Sequence, residues 1–445
     1  MSTQKKQWAA IIIMIALFGM IAFVTNLCSP MALILKNQFG IPDSLAQIGN
    51  IGNFAAYLIM GIPSGMLISK IGYKKTALLA LVVGIIGILI QWISGLALVE
   101  SNTANFIIYL IGALVAGCTM CMLNCVVNPM LNLLGGGGNK GNQYIQIGGV
   151  FNSTCAVAIY IIMGALIGEI TKETQIAAAT PALFIAIAIF AIAFIIIAFT
   201  KIEEPEQEKT ESQVALIKGA CKYRHFVLGA IAIFLYMGIE VGVPTTMINY
   251  LSAPTDGVLP NGNTGLSGAG IAAGVATLIA AVYWIMMLIG RFVGASIAGK
   301  VSSRALVTTV SILCIILVAL GMANMGTNAP KVTVLGINWA TLTVIHPEVP
   351  MGVFFFILVG LCTSVMWGAI FNLAVEGLGK YTAIAAGIFM TMVFGCAVLM
   401  PFEAWFAETV GSYVAAYAVI IVCAIYILFY ALIGSRVNKN KLPKE

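Results

Sequence analysis

The sequence predicts an all-α membrane protein: twelve transmembrane helices in two six-helix bundles, with both chain termini on the cytoplasmic side. Three observations carry this expectation. Of the 445 residues, 61% are hydrophobic and 9% charged, and the mean hydropathy is +1.04, whereas a soluble domain carries about 25% charged residues. Twelve apolar runs reach the roughly 20 residues that a helix rising about 1.5 Å per residue needs to cross a hydrocarbon core of about 30 Å. Once those runs are laid out as spans, lysine and arginine fall almost entirely on one side. A soluble enzyme is excluded. The formal charge of +6, from 22 basic and 16 acidic residues, is spread along the chain, so no nucleic-acid arm or patch for acidic substrates stands out.

The runs lie at about 8–34, 46–69, 76–98, 104–134, 143–168 and 180–200, then 225–251, 268–299, 305–325, 351–378, 381–403 and 412–434. Residues 1–8 are basic like the start of a signal peptide. The run after them is far longer than a signal core and lacks a small-residue cleavage site, so it is expected to stay as the first span. Between the sixth and seventh runs, residues 201–223 contain Glu203-Glu204-Pro205-Glu206-Gln207-Glu208-Lys209. That stretch is too charged for hydrocarbon and too poor in apolar residues for a core. It divides the chain into an N-terminal bundle (1–200), a cytoplasmic linker (201–223) and a C-terminal bundle (224–445).

With both termini on one side, eighteen Lys and Arg residues fall there, among them Lys70, Lys74, Lys75, Lys140, Lys300, Arg304 and Lys380, against Lys36, Lys172 and Lys331 on the other. Arg291 is set aside as near a helix end. This positive-inside bias makes the termini and the linker cytoplasmic. The halves also resemble each other. Gly61-x-x-x-Gly65 in the second run precedes Lys70, Gly72 and Lys74, while Gly290-Arg291-Phe292-x-Gly294 in the eighth precedes Lys300 and Arg304. Close helix packing explains each alone. Their recurrence adds the pattern of two transporter repeats with a site at their interface, and makes Gly65, Lys70, Lys74, Gly290, Arg291 and Gly294 candidate gating positions.

Nine of the ten cysteines fall in apolar runs and Cys221 in the linker, so reduced thiols are expected rather than a disulfide framework. Cys118-x-x-Cys121 has no second pair and no neighbouring His, and is read as packing. The four glycines 135–138 lack the Lys-Ser/Thr ending of a phosphate loop and read as a cytoplasmic turn. His225 and His346 fall at a helix start and in an outer loop, away from any proton relay.

Polar side chains inside spans are costly unless they face partner helices or a wet cavity, so they are the candidate functional residues. Glu240 is the only acid read as lying well inside a run, roughly 22 Å from the cytoplasmic end; Glu376 and Glu403 are assigned to helix ends, within reach of water. Asn124 and Asn152 fall about 15 Å deep, near the centre. Asn128 precedes Pro129, whose missing donor predicts a local break, and Gln146 lies a turn or more below Asn152. Each amide serves equally as an interhelical hydrogen bond or as a ligand contact. Together on adjacent helices they suit a neutral, hydroxyl-rich ligand, because amides both donate and accept. Trp367, near mid-depth in the tenth run with Asn372 below it, could stack on a sugar face or pack as core.

Several motifs then combine. Asn128-Pro129 with Leu134-Gly135, Phe151-Asn152-Ser153, Tyr236-Met237-Gly238-Ile239-Glu240-Val241-Gly242, Ile248-Asn249-Tyr250-Leu251, Gly290-Arg291-Phe292 and Ile370-Phe371-Asn372-Leu373 occur in order on the corresponding helices. In these the chain resembles the fucose permease and glucose/galactose transporter family of the major facilitator superfamily, along essentially its whole length. The resemblance implies the major facilitator fold and cation-driven uptake of a hexose or deoxyhexose by alternating access, with Asn26, Asn124, Asn128, Gln146, Asn152 and Trp367 around the sugar. It also shows departures. Ser29 stands where the family carries an Asp just after an Asn-containing turn, here Asn26. Asn124 replaces a Glu, Gly149 a Gln, and Ser69 the Asp of the superfamily's cytoplasmic loop. Glu240 is therefore the expected coupling residue, by protonation or as a sodium ligand. The expected partners are a small-molecule sugar and the bilayer of a bacterial inner membrane, with no nucleic acid. No cofactor is expected beyond a proton or sodium ion, and the chain is expected to be a monomer. A uniporter or exchanger without a cation site, or an exporter of another small molecule, is the alternative; an embedded enzyme lacks a nucleophile, base or metal set.

Overall fold

The computed structural model describes residues 8–22, 48–96, 101–167, 176–200, 202, 213–257, 265–271, 273–325, 329–338 and 343–437. The helices are α1 Trp8–Ala22, α2 Ile48–Gly95, α3 Asn102–Leu134, α4 Gly138–Ile167, α5 Thr180–Phe199, α6 Gln213–Ala220, α7 Arg224–Ser252, α8 Ala273–Ile297, α9 Ser303–Ala323, α10 Gly352–Val375, α11 Thr382–Thr391, α12 Gly395–Val410 and α13 Tyr413–Phe429. Among the described residues, nine helical stretches are long and apolar enough to cross a membrane. Their outward sides are greasy. On α5, Ile192, Ile195, Ile196 and Phe199 are exposed, a belt of a size that water-soluble monomers rarely carry and that a bilayer would cover.

The chain forms two compact units. The first comprises residues 1–226, 375–394 and 437–445, and the second residues 227–374 and 395–436.

In the first unit, the turn expected around Lys70–Lys75 is a kink instead. The helix α2 runs from Ile48 to Gly95, and Gly72 alone leaves helical geometry, with φ 85° and ψ 172°. A side chain there would be strained in that left-handed region, so glycine is what lets two apolar helices join without a loop. Lys74 serves the neighbouring helix end: its Nζ donates to the carbonyls of Ala198 (3.0 Å) and Thr200 (2.9 Å). A cation placed on the last carbonyls satisfies acceptors that have no intrahelical partner and offsets the helix dipole. Lys70 is exposed. Between α3 and α4, Gly136, Gly137 and Gly138 have φ of 78°, 71° and 53°. The glycine run is thus a tight left-handed turn, with Gly136 and Gly137 N–H groups on Leu133 and Asn132 carbonyls.

The small residues of α2 meet α11. A Cβ built on Gly65 would lie 2.8 Å from the Ala383 carbonyl, and one on Gly387 would lie 2.6 Å from the Gly61 carbonyl. Backbone touches backbone there, which only small residues allow.

In the second unit, α12 extends to Val410, beyond the limit of 403 read from sequence, because Ala404, Trp405, Phe406 and Ala407 keep the stretch apolar past Glu403. The ring of Phe356 stacks on Tyr417, centroids 3.7 Å apart. An all-helical reading misses one feature. Strands β1 Lys331–Thr333 and β4 Glu348–Pro350 pair antiparallel, as do β2 Gly336–Asn338 and β3 Thr343–Ile345. The β-branched content of this segment, Val332, Thr333, Ile337, Thr343, Val344 and Ile345, is what favours strand. Nine cysteines are free among the described residues.

The α2–α11 contact predicts that Gly387→Leu lowers stability by about 1–3 kcal/mol through overpacking, read as a fall in the melting temperature of the detergent-purified protein. At Gly52 a Cβ would meet nothing within 4 Å, so Gly52→Ala leaves the melt unchanged or slightly raised.

Candidate functional site

The sequence-derived candidates divide between the units. In the first, α3 carries Asn124 and Asn128, both buried. They lie four residues apart and so share a helix face. Asn124 Nδ2 donates to the Tyr57 hydroxyl of α2 at 2.8 Å. Asn128 Nδ2 donates back to the Asn124 carbonyl at 3.0 Å and lies 3.3 Å from its Oδ1. The expected break at Pro129 does not occur: α3 continues to Leu134 with Pro129 inside. Packing of the buried helix on both sides outweighs one missing backbone bond.

On α4, Asn152 Nδ2 donates to the Phe18 carbonyl of α1 at 2.7 Å, and Gln146 is buried. The amides thus hold helix to helix, with Asn124 joining α3 to α2 and Asn152 joining α4 to α1. Asn26, like Ser29, lies outside the described residues.

In the second unit, three helices converge on one charged pair. Arg291 Nη2 on α8 lies 3.9 Å from Glu240 Oε1 on α7, with 12% and 13% of the two side chains exposed. Arg291, set aside in the sequence as near a helix end, lies six residues before the end of α8 at Ile297 and is mostly buried. Its partner could have been found from sequence: a lone acid and a lone base in neighbouring apolar runs lower each other's cost by pairing.

Around the pair stand hydroxyls and rings. Tyr236, one turn before Glu240, donates to the Thr363 carbonyl of α10 at 3.2 Å and neighbours the Glu240 carboxylate. The Tyr283 hydroxyl and Thr363 Oγ1 are 2.9 Å apart. Trp367 faces Tyr236, ring centroids 6.1 Å apart and tilted by 57°. Asn372, one turn and a residue further on, donates to Ser303 Oγ at 2.8 Å. Gly290 lets α8 approach α10, since a Cβ there would lie 3.0 Å from the Leu361 carbonyl; Gly294 is buried one turn later on the same face.

Sequence reasoning missed the second buried acid. Glu403 had been assigned to a helix end, yet it lies within α12 and is 2% exposed. Among the described residues there is no group of three or more His, Cys, Asp or Glu that could hold a metal ion.

Removing one member of the α7–α8 pair leaves a charge without compensation in a nearly dry setting. Arg291→Met or Glu240→Gln alone is expected to cost about 3–5 kcal/mol, and the double variant to regain most of it. Thermal melts of the four proteins in detergent measure this; additive losses would show that the two charges do not stabilise each other.

The profile of the Major Facilitator Superfamily matches residues 11–343. The chain is 27% identical over 439 residues to a glucose/galactose transporter of Brucella abortus, covering 98% of this chain and 96% of that protein. It is 19% identical to the L-fucose-proton symporter of Escherichia coli K12, over 96% and 93% of the two chains. The crystal structure of the E. coli fucose:proton symporter superposes with a TM-score of 0.78 at 16% identity, covering 97% of this chain and 100% of that one. Profile, full-length similarity and fold agree: the chain is a multi-pass membrane protein and belongs to the Major Facilitator Superfamily.

Proposed function

We propose that the protein is a secondary active transporter that takes up a hexose or deoxyhexose by alternating access, driven by a proton or sodium gradient. The observation that carries the proposal is similarity over nearly the whole chain to a protein named as a glucose/galactose transporter. Its organisation is then twelve spans, with α2 supplying two of them across Gly72, in bundles 1–200 and 224–445 joined by the linker 201–223. Both termini face the cytoplasm, the protein works as a monomer in the bacterial inner membrane, and it needs no cofactor other than the coupling ion.

In kind, the candidate residues suit a neutral polyol. Asn26, Asn124, Asn128, Gln146 and Asn152 supply donors and acceptors without net charge, and Trp367 supplies an apolar ring face for C–H surfaces of a sugar. The amides hold helices in the state described; in the proposed cycle the sugar exchanges for some of those bonds.

Coupling falls to Glu240. With Ser29 and Asn124 neutral, its carboxylate is the acid with a partner that can respond. Charged, it holds Arg291; once a proton or sodium ion occupies it, the guanidinium is released to another acceptor. A cation that binds one arrangement better than the other shifts their populations by that difference in affinity. Gly65, Lys70, Lys74, Gly290 and Gly294 act as packing and orientation positions around which the rearrangement occurs.

Proteoliposomes loaded with the purified chain test this. Labelled glucose, galactose and fucose are offered with and without inward proton or sodium gradients, beside a nucleoside and a lipophilic cation. Accumulation of a sugar above the outside concentration is expected, and Glu240→Gln should reduce it to equilibration while retaining counterflow exchange. Transport of the nucleoside or the lipophilic cation alone would replace the sugar reading. Equilibration by the wild type under every gradient would favour a uniporter, a reading consistent with a Glu240 charge already balanced by Arg291.

A further inference from the structure

Glu240 and Glu403 are both acids inside the second unit, and they differ in what surrounds them. Glu403 Oε2 lies 3.5 Å from Thr246 Oγ1, at the outer limit for a hydrogen bond, while its Oε1 is buried without a hydrogen-bond partner. The carboxylate occupies the space left by Gly242, where a Cβ would come within 2.8 Å of its Cδ. It borders a small cavity lined by Thr245, Thr246 and Asn249 of α7, Met400, Glu403, Ala404 and Ala407 of α12, and Tyr413 and Ala416 of α13. None of these lining residues is basic. The cavity measures about 20 Å³, the room of a single water-sized guest.

A buried carboxylate that is charged and uncompensated is too costly to persist, so something neutralises it. A proton needs one oxygen. Here Glu403 shares its cavity with Thr245, Thr246, Asn249 and Tyr413, residues carrying the hard oxygen donors that alkali cations select, beside the apolar Met400, Ala404, Ala407 and Ala416. One negative charge among neutral oxygens matches a monovalent ion, and the volume excludes a sugar. Thr245 Oγ1 donates to the Val241 carbonyl at 2.7 Å, which leaves its lone pairs available to an ion.

We propose that Glu403, Thr246, Thr245 and Asn249 form a binding site for one sodium-sized monovalent cation, separate from the Glu240–Arg291 pair. The site stands whether or not the cargo is a sugar. In it, Glu403 supplies the charge, Thr246 and Thr245 the hydroxyl oxygens, and Asn249 its amide oxygen at the open side.

Titration calorimetry of sodium chloride into the detergent-purified full chain, with choline chloride as control, measures this without cargo. The Arg291→Met/Glu240→Gln double variant, which lacks the other candidate cation ligand and regains most of the stability lost by either change, is expected to bind one sodium ion saturably, and the following changes are made on that background. Glu403→Gln and Thr246→Val should lose at least tenfold in affinity, and Thr246→Ser should retain it. Sodium should also raise the melting temperature of the double variant but not of its Glu403→Gln derivative, whose monodispersity on size exclusion shows that it folds. No saturable sodium binding by that double variant overturns the proposal, and so does binding that persists when Glu403→Gln is added to it. Because the readout is ion binding, its failure leaves sugar uptake intact, and failure of sugar uptake leaves the ion site intact.

Discussion

Hydrocarbon offers no partner to a polar group, and the structure follows from that deprivation. A donor, acceptor or charge drawn inside is costly until another part of the chain, or a bound guest, answers it. The pairing of Glu240 with Arg291 is the strongest instance: two charges that would each be prohibitive alone tie α7 to α8. The same demand places Asn124 on Tyr57 and Asn152 on the Phe18 carbonyl, and sends Lys74 to the carbonyls at the end of α5. The interior polar residues are therefore fasteners in the state described, and any cargo must compete with bonds already made.

Much of the fold was legible in the sequence because solvent selects so strongly. Apolar runs of sufficient length marked the helices. What was misread had local causes. The turn near Lys70 is where the sequence puts it, but it is made by one left-handed residue, Gly72, and its shortness is invisible to hydropathy. The strands between α9 and α10 are three residues each, too short for a periodicity to register. Pro129 was given more disruptive power than a well-packed helix allows.

The site was legible in kind but not in pairing. Depth along a helix found Glu240, Asn124 and Asn152, since rise per residue converts number into distance. Facing was not legible: which side of α8 Arg291 occupies depends on how helices rotate against each other, and no one-dimensional pattern fixes that. Glu403 was misplaced by a boundary error of seven residues, from 403 to Val410, enough to turn a buried acid into one thought to be wet. The two acids illustrate opposite solutions to one problem. One is balanced by a neighbouring guanidinium; the other has the Thr246 hydroxyl at 3.5 Å and no base among the residues lining its cavity.

The contact of Gly61 and Gly65 with Ala383 and Gly387 has a thermodynamic corollary. Glycine and alanine have no side-chain rotamers to immobilise, so forming this contact surrenders almost none of the rotational freedom that long side chains lose on burial. Its attraction comes from dispersion between closely apposed backbones, which falls away within an ångström or so of separation. A seam of this kind would hold firmly in contact and lose its attraction over a short separation.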